Sequence, residues 1–423
     1  MTNDELSGRD SDDAVSDDDT DFDDASSSED VSVDDPFDSI DVETQAPSAE
    51  QSLRYFGADF DVEGLVRRLT RDELQVPTFS PESSDGSGFE GFQRRFVWPK
   101  KQMDRFIESL LLGYPVPGIF LVELANRRYL VLDGQQRLRT LAAFYEGIYK
   151  VGERERIFNL TYVGSNFKGR GYKTLDPADR RLLDNTFIQA TVVVPNEDGK
   201  DAVYKLFERI NSSGMKLQPQ EIRVALFSGP AIRFIRDLNT IDPWRNLFGR
   251  EHSRLKDHEL ILRYLALTET AELIRKFEWD PKVARIDEQA RGVELSSSIV
   301  YRPPMSSFLN RYLERHENLQ GVDVSRITTE FQTICKAILD GGGEDSLKWR
   351  GSIQVNAAHT DALLVGATLA SRAGIRLTPA TVRTAIDNLR ANMRYVVALS
   401  ESTSHTDNVC TRLQSATQAF TSS

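Results

Sequence analysis

The sequence predicts an α+β protein, with an α/β unit over residues 51–215 followed by a mostly α-helical unit over residues 216–423. Three observations carry that expectation. Twice in the first unit, a short run rich in β-branched and aromatic residues leads into or out of segments with apolar residues at helical spacing. From Pro219 onward only the helical spacing recurs. The composition also changes abruptly near residue 50, before which 19 Asp and Glu stand against a single Arg, Arg9.

That leading stretch, residues 1–50, has a net charge of −18 and almost nothing apolar to bury. A segment of this kind cannot offset its ordering entropy and is expected to be a disordered acidic tail. Taking its −18 from the whole-chain −13 leaves +5 for residues 51–423, so the acidic pI describes the tail and not the body. A mildly basic body is compatible with a polyanionic partner.

The elements of the body can be read in order. Phe60 to Leu74 begins the ordered part, and Ser80–Gly91 is a loop rich in Ser, Gly and acids. Pro99 is placed to open a helix along which Met103, Phe106, Ile107, Leu110 and Leu111 form one face, with Gly113 ending it. Pro115 and Pro117 force an extended entry into Ile119–Glu123, and Arg128–Leu132 is a second short strand. Leu138, Leu141, Ala142 and Tyr145 then mark a helix that closes near Gly147. Asp176-Pro177 starts another helix, Ile188–Val194 reads as a buried strand, and Val203, Phe207 and Ile210 line a helix. In the helical half, Pro219 opens a helix that stops at Gly229-Pro230, and His258–Thr268 forms another. Two apolar stripes follow, Val382, Ile386, Leu389 and Met393, then Val409, Leu413, Ala416 and Phe420.

Several function classes are excluded at this stage. Two cysteines, Cys335 and Cys410, supply neither a disulfide framework nor a metal cluster and fit a reducing compartment. No signal peptide or membrane-length apolar run is present, so the protein is expected to be soluble and cytoplasmic, without a membrane partner. No Walker pattern GxxxxGK[ST] occurs.

The segment that carries chemistry is Val131-Leu132-Asp133-Gly134-Gln135-Gln136-Arg137-Leu138. A glycine between strand and helix lets the backbone approach a ligand closely. The first amides of the helix lack intrahelical partners and carry partial positive charge, which suits a phosphate oxygen. Arg137 is within reach of the same phosphate, and Asp133 is placed to hold a hydrated magnesium ion. Gln135 or Gln136 could orient an attacking water. The same residues equally describe a helix start capped by its Asp with the glutamines in solvent.

Two clusters extend this site. Gln93-Arg94-Arg95-Phe96-Val97-Trp98 sets polar and cationic groups beside aromatics, a combination suited to phosphate contact and base stacking or, equally, a loop tied down by Trp98. Phe207-Glu208-Arg209-Ile210-Asn211 ends a helix before Gly214, offering Arg209 and Asn211, although Asn is also an ordinary helix terminator. The loop Phe167–Tyr172, with Lys168 and Arg170, could reach nucleic acid or be plain surface. His258 beside Asp257 reads as structural.

Together these blocks resemble the N-terminal domain family of GmrSD-type restriction enzymes, whose core is ParB/sulfiredoxin-like. The resemblance rests on Gln93-Arg94 with Val97-Trp98, on Phe106 to Pro117, on Asp133 to Leu138 with Thr140-Leu141, and on Phe207 to Asn211 with Gly214 and Leu217. It is close over about residues 85–230 and weaker through Asp257–Leu267 and Thr403–Phe420. ParB proteins place a comparable turn on nucleotide phosphates. What the resemblance implies is nucleoside triphosphate binding and hydrolysis, with magnesium, coupled to restriction of foreign or modified DNA. Asp133, Gln135, Gln136 and Arg137 would be catalytic, and Gln93, Arg94, Gly134, Arg209 and Asn211 would hold the nucleotide. Many relatives also carry a His-rich HNH nuclease domain, whereas the five histidines here, His252, His258, His316, His359 and His405, are scattered. Cleavage would then call for a separate nuclease subunit or for the α/β unit itself. A non-catalytic DNA-binding module and a magnesium-dependent nuclease using the same turn are the alternatives, and homo-oligomerisation is open.

Overall fold

The computed structural model describes residues 53–76, 98–124, 127–151, 154–195, 200–210, 219–227, 229–252, 254–276, 300–400 and 402–422, together with the backbone of 33–34. In chain order the first half contributes β1 (Val33–Asp34), β2 (Arg54–Asp61), α1 (Val62–Thr70), β3 (Leu74–Gln75), α2 (Lys100–Leu111), β4 (Ile119–Glu123), β5 (Tyr129–Asp133), α3 (Gln135–Glu146), β6 (Ile148–Val151), β7 (Arg154–Ile157), α4 (Pro177–Asp184), β8 (Phe187–Val194) and α5 (Lys200–Ile210). The second half adds α6 (Pro219–Leu226), α7 (Pro230–Asn239), α8 (Asp242–Phe248), α9 (Lys256–Lys276), α10 (Met305–His316), α11 (Val324–Gly342), β9 (Val355–Asn356), α12 (Ala357–Arg372), α13 (Pro379–Ala391), α14 (Met393–Ser400) and α15 (Thr406–Thr421). The α+β class is therefore as the sequence predicts, with strands concentrated before residue 195 and helices after it.

The centre of the first half is a mixed five-stranded sheet in the order β2-β8-β4-β5-β3. β2 and β8 are antiparallel, β8 and β4 parallel, β4 and β5 antiparallel, and β5 and β3 parallel. Alternation along the strands gives the sheet two apolar faces. Ile119, Leu121, Val131, Ile188, Ala190 and Val192 join Val62, Leu65, Ile107, Leu110, Leu138, Leu141 and Phe144 of the covering helices in one core. Val122, Leu130, Leu132 and Val193, on the other face, belong to the core of the helical half, with Val203, Phe207, Ile222 and Leu226. The helical body thus packs directly onto the sheet. A hairpin of β6 and β7 stands apart, and β1 pairs in parallel with β9.

Local signals account for most boundaries. Pro177 and Pro230 occupy the first turns of α4 and α7, where the missing amide costs nothing. Pro99 is the residue before α2 and not inside it, and its carbonyl accepts from Met103. Gly147 closes α3 in the left-handed conformation, φ 86°. Val409, Leu413, Ala416 and Phe420 are buried as the stripe predicts. Met393 is not: Asn392 interrupts the helix, Met393 starts the next one, and its side chain is 68 % exposed.

The helical half also holds a buried polar chain that no apolar pattern announces. Asn310 on α10 donates to Asp201 on α5 at 2.8 Å and accepts from Arg223 on α6 at 3.0 Å. Arg223 pairs with Glu259 on α9 at 3.2 Å, and Arg263 on α9 binds Asp361 on α12 at 2.7 Å. Each charge is compensated in place, as burial requires.

Candidate functional site

The site grows out of one backbone event, the passage from β5 into α3. Asp133 is the last residue of β5, opposite Phe120 of β4, where the register shifts before Leu121. Gly134 then turns the chain with φ 97° and ψ 8°. Glycine is required there twice over. The left-handed conformation disfavours a side chain, and a Cβ would sit 2.4 Å from Cγ2 of Ile119. The turn is therefore pressed against the start of β4, and no side chain caps the N-terminus of the twelve-residue helix α3.

Arg137, one helical turn on, ties this junction together. Its guanidinium donates to the Asp133 carboxylate at 2.6 Å and to the carbonyls of Pro117 and Gly118 at 2.6 and 2.9 Å. The Arg137 side chain is only 11 % exposed, while that of Asp133 is 46 % exposed. Of the two charged groups in the turn, the acid faces solvent and the base faces the fold. The geometry gives Arg137 a positioning task. Gly118 participates as backbone, since a Cβ there would lie 2.7 Å from the carbonyl oxygen of Gln189.

Gln136 fastens the segment before α2. Its Oε1 accepts from the amide of Trp98 at 3.1 Å, and the Trp98 ring packs edge-on against Phe106 at 5.6 Å. The structure thus brings Asp133, Gly134, Gln135, Gln136 and Arg137 together with Trp98 and Pro117-Gly118. Gln93, Arg94, Phe96 and Asn211 lie outside the described residues. Arg209 is exposed in the last turn of α5. Among the described residues no group of three or more His, Cys, Asp or Glu could hold a metal ion.

Residues that the sequence reading passed over hold the neighbouring loop. Asp104 on α2 is fully buried, is paired with Lys100, and accepts from the amides of Thr161 and Tyr162 at 2.9 and 3.0 Å. The Lys100 ammonium lies 4.5 Å from the Phe158 ring centre, and burial lowers its pKa despite the Asp104 carboxylate. Their i,i+4 spacing was the available signal. The basic loop is likewise built in. Phe167 is buried, the Gly169 amide donates to the carbonyl of Leu160 at 2.6 Å, and Arg170 donates to that of Thr174 at 3.1 Å. Lys168 and Arg170 remain exposed. At the predicted structural His258, burial lowers the pKa, and Asp257 beside it accepts from Asn239 at 2.9 Å and Arg245 at 3.1 Å.

A sheet-end glycine turn thus leads into a helix without a side-chain cap, with an exposed carboxylate and a largely enclosed arginine beside it, within an α+β fold. Residues 83–228 match the family model described as GmrSD restriction endonuclease, N-terminal domain. No curated protein matches the chain, and no solved structure does. No described helix is long and apolar enough to cross a membrane.

Proposed function

We propose that this chain is a nucleoside-triphosphate-binding and hydrolysing component of a restriction-type, anti-phage defence system acting on DNA. The family match supports the restriction type of role and an interaction with DNA. The observation that supports a phosphate site is the uncapped N-terminus of α3, which opens at left-handed Gly134 beside the solvent-facing carboxylate of Asp133. In this reading the first amides of α3 bind phosphate oxygens, as helix N-termini do. Gln135 orients a water towards the terminal phosphate, while Gln136 keeps the Trp98 segment against the turn. Arg137 keeps Asp133 and the Pro117-Gly118 backbone in place.

Asp133 would hold magnesium accompanying the nucleotide, since one carboxylate suits an ion that retains water and takes phosphate oxygens as ligands. When bound, that ion supplies neutralisation of phosphate charge. A two-metal phosphodiesterase is less well supported, because no group of three or more His, Cys, Asp or Glu among the described residues could hold a metal ion.

The test is phosphate release from the purified chain with each nucleoside triphosphate and magnesium, with and without DNA. Asp133→Asn keeps an acceptor for Arg137 and is expected to abolish release while the fold survives. Release at the parent rate in Asp133→Asn overturns the hydrolytic reading. No release from the parent, together with salt-sensitive DNA retention indifferent to nucleotide, replaces it with a DNA-binding module.

A further inference from the structure

The edge of the five-stranded sheet is built differently at its two ends. On one side the edge strand is β3, only Leu74–Gln75 and both residues buried. On the other it is β2, eight residues long, paired with β8 without a register shift from Arg54 to Asp61. No described residue pairs with the outer side of β2. Tyr55 is 73 % exposed and Phe56 46 %, and the strand contains no proline, lysine or bulge to blunt it. A long, regular edge presents a row of backbone donors and acceptors to any chain that can align with it.

We infer that β2 is a self-association edge, pairing antiparallel with β2 of a second copy about a two-fold axis, to make one continuous ten-stranded sheet. Charge sets the orientation. β2 starts with Arg54 and ends with Asp59 and Asp61, so antiparallel pairing lays the basic end of each strand beside the acidic end of the other. Parallel pairing would stack like on like.

Pleat sets the partners. Side chains directly opposite across an antiparallel pair share a face of the sheet, so a two-fold axis must pass through a residue, and the centre of β2 is Gly57 or Ala58. With the axis at Gly57, Phe56 meets the partner's Ala58 and Tyr55 the partner's Asp59. With the axis at Ala58, Phe56 meets the partner's Phe60 and Tyr55 the partner's Asp61. Ala58 and Phe60 already rest on the apolar core, so either axis continues that apolar row over the exposed Phe56. Either axis also gives each Tyr55 hydroxyl a carboxylate. One edge contact is small beside permanent interfaces, so the dimer is expected to dissociate on dilution.

The test uses the full chain. Sedimentation over a concentration series should show a reversible monomer–dimer equilibrium, shifted to monomer by Phe56→Lys and by Tyr55→Lys, with circular dichroism unchanged. Because a lysine variant could fail to fold, Gly57→Cys and Ala58→Cys supply a second reading. The native Cys335 and Cys410 are buried, so mild oxidation should join the new cysteines across the axis into a covalent dimer. A parent monomeric at all concentrations, with neither cysteine variant cross-linking, overturns the inference. A dimer that both lysine substitutions leave intact, with neither cysteine variant cross-linking, places the contact elsewhere and overturns it equally. A monomer whose β2 amides are protected from exchange hands the edge to another segment of the same chain, with the same consequence.

Discussion

At the scale of single residues, the candidate site depends on small geometric necessities. Gly134 combines a left-handed backbone with contact against Ile119, so Gly134→Ala meets both strain and a clash. The expected cost is about 2 kcal/mol or more, read as a lower midpoint in denaturant unfolding. A variant as stable as the parent would show that the turn relaxes away from Ile119. A second residue-scale prediction concerns pH. His359 is fully buried, its Nδ1 lies 2.7 Å from the Tyr395 hydroxyl, and burial pushes its pKa down to about 4 from 6.5. The unfolded chain takes up the proton first as pH falls. Stability is therefore complete above pH 6.5 and is lost between 6.5 and about 4, to a total of ~3 kcal/mol. His359→Gln removes this component, so the stability gap between parent and variant should narrow across that window. A gap that stays constant from pH 7 to 4 refutes the assignment.

At the scale of elements, contact between helices is decided by where side chains are missing. α12 is buried along nearly its whole length. Gly366 sits against α15, and a Cβ there would lie 2.6 Å from that of Ala416. Gly366→Val must push the two helices apart, at an expected cost on the order of 3 kcal/mol, near the upper end of overpacking losses. Thermal unfolding measures it. Gly366→Ala with a partly retained midpoint would fit the same packing, whereas a valine variant unchanged in Tm would not. The loop over residues 159–164 illustrates the converse, order imposed from outside: Asp104 and Glu108 of α2 accept its amides.

At the scale of the whole molecule, charge is unevenly divided. The leading fifty residues carry −18 and the rest +5, and a stretch so acidic is expected to compete with a polyanion such as DNA for basic surfaces. Deleting residues 1–50 is expected to tighten DNA retention at low salt several-fold, with the difference fading as salt screens it. Equal retention with and without the tail, measured by filter binding across a salt series, would assign the tail no such role. The dual packing of the sheet adds a mechanical point. Leu130 and Leu132 face the helical core while Val131 faces α3, so the strand that ends in Asp133 is held from both sides.

The sequence by itself determined the α+β class, most helix positions, the strand-turn-helix at Asp133–Arg137 and the family resemblance. Those features are local: periodicity, proline and glycine positions and contiguous motifs are written in neighbouring residues. It also pointed to the Val409–Phe420 stripe but extended the preceding one to Met393, because periodicity alone does not register the break at Asn392. Only the tertiary structure decided which way the charged groups of the turn face. Arg137 reads as a phosphate ligand in the motif, yet the carbonyls of Pro117 and Gly118 lie within its reach in space. It likewise decided the Asp201–Asn310–Arg223–Glu259 chain and the place of β2 at the edge of the sheet among the described residues. Strand order and long-range hydrogen bonds join residues far apart in the chain, such as Asp201 and Asn310, 109 positions from one another, and no local pattern records which distant partner meets which.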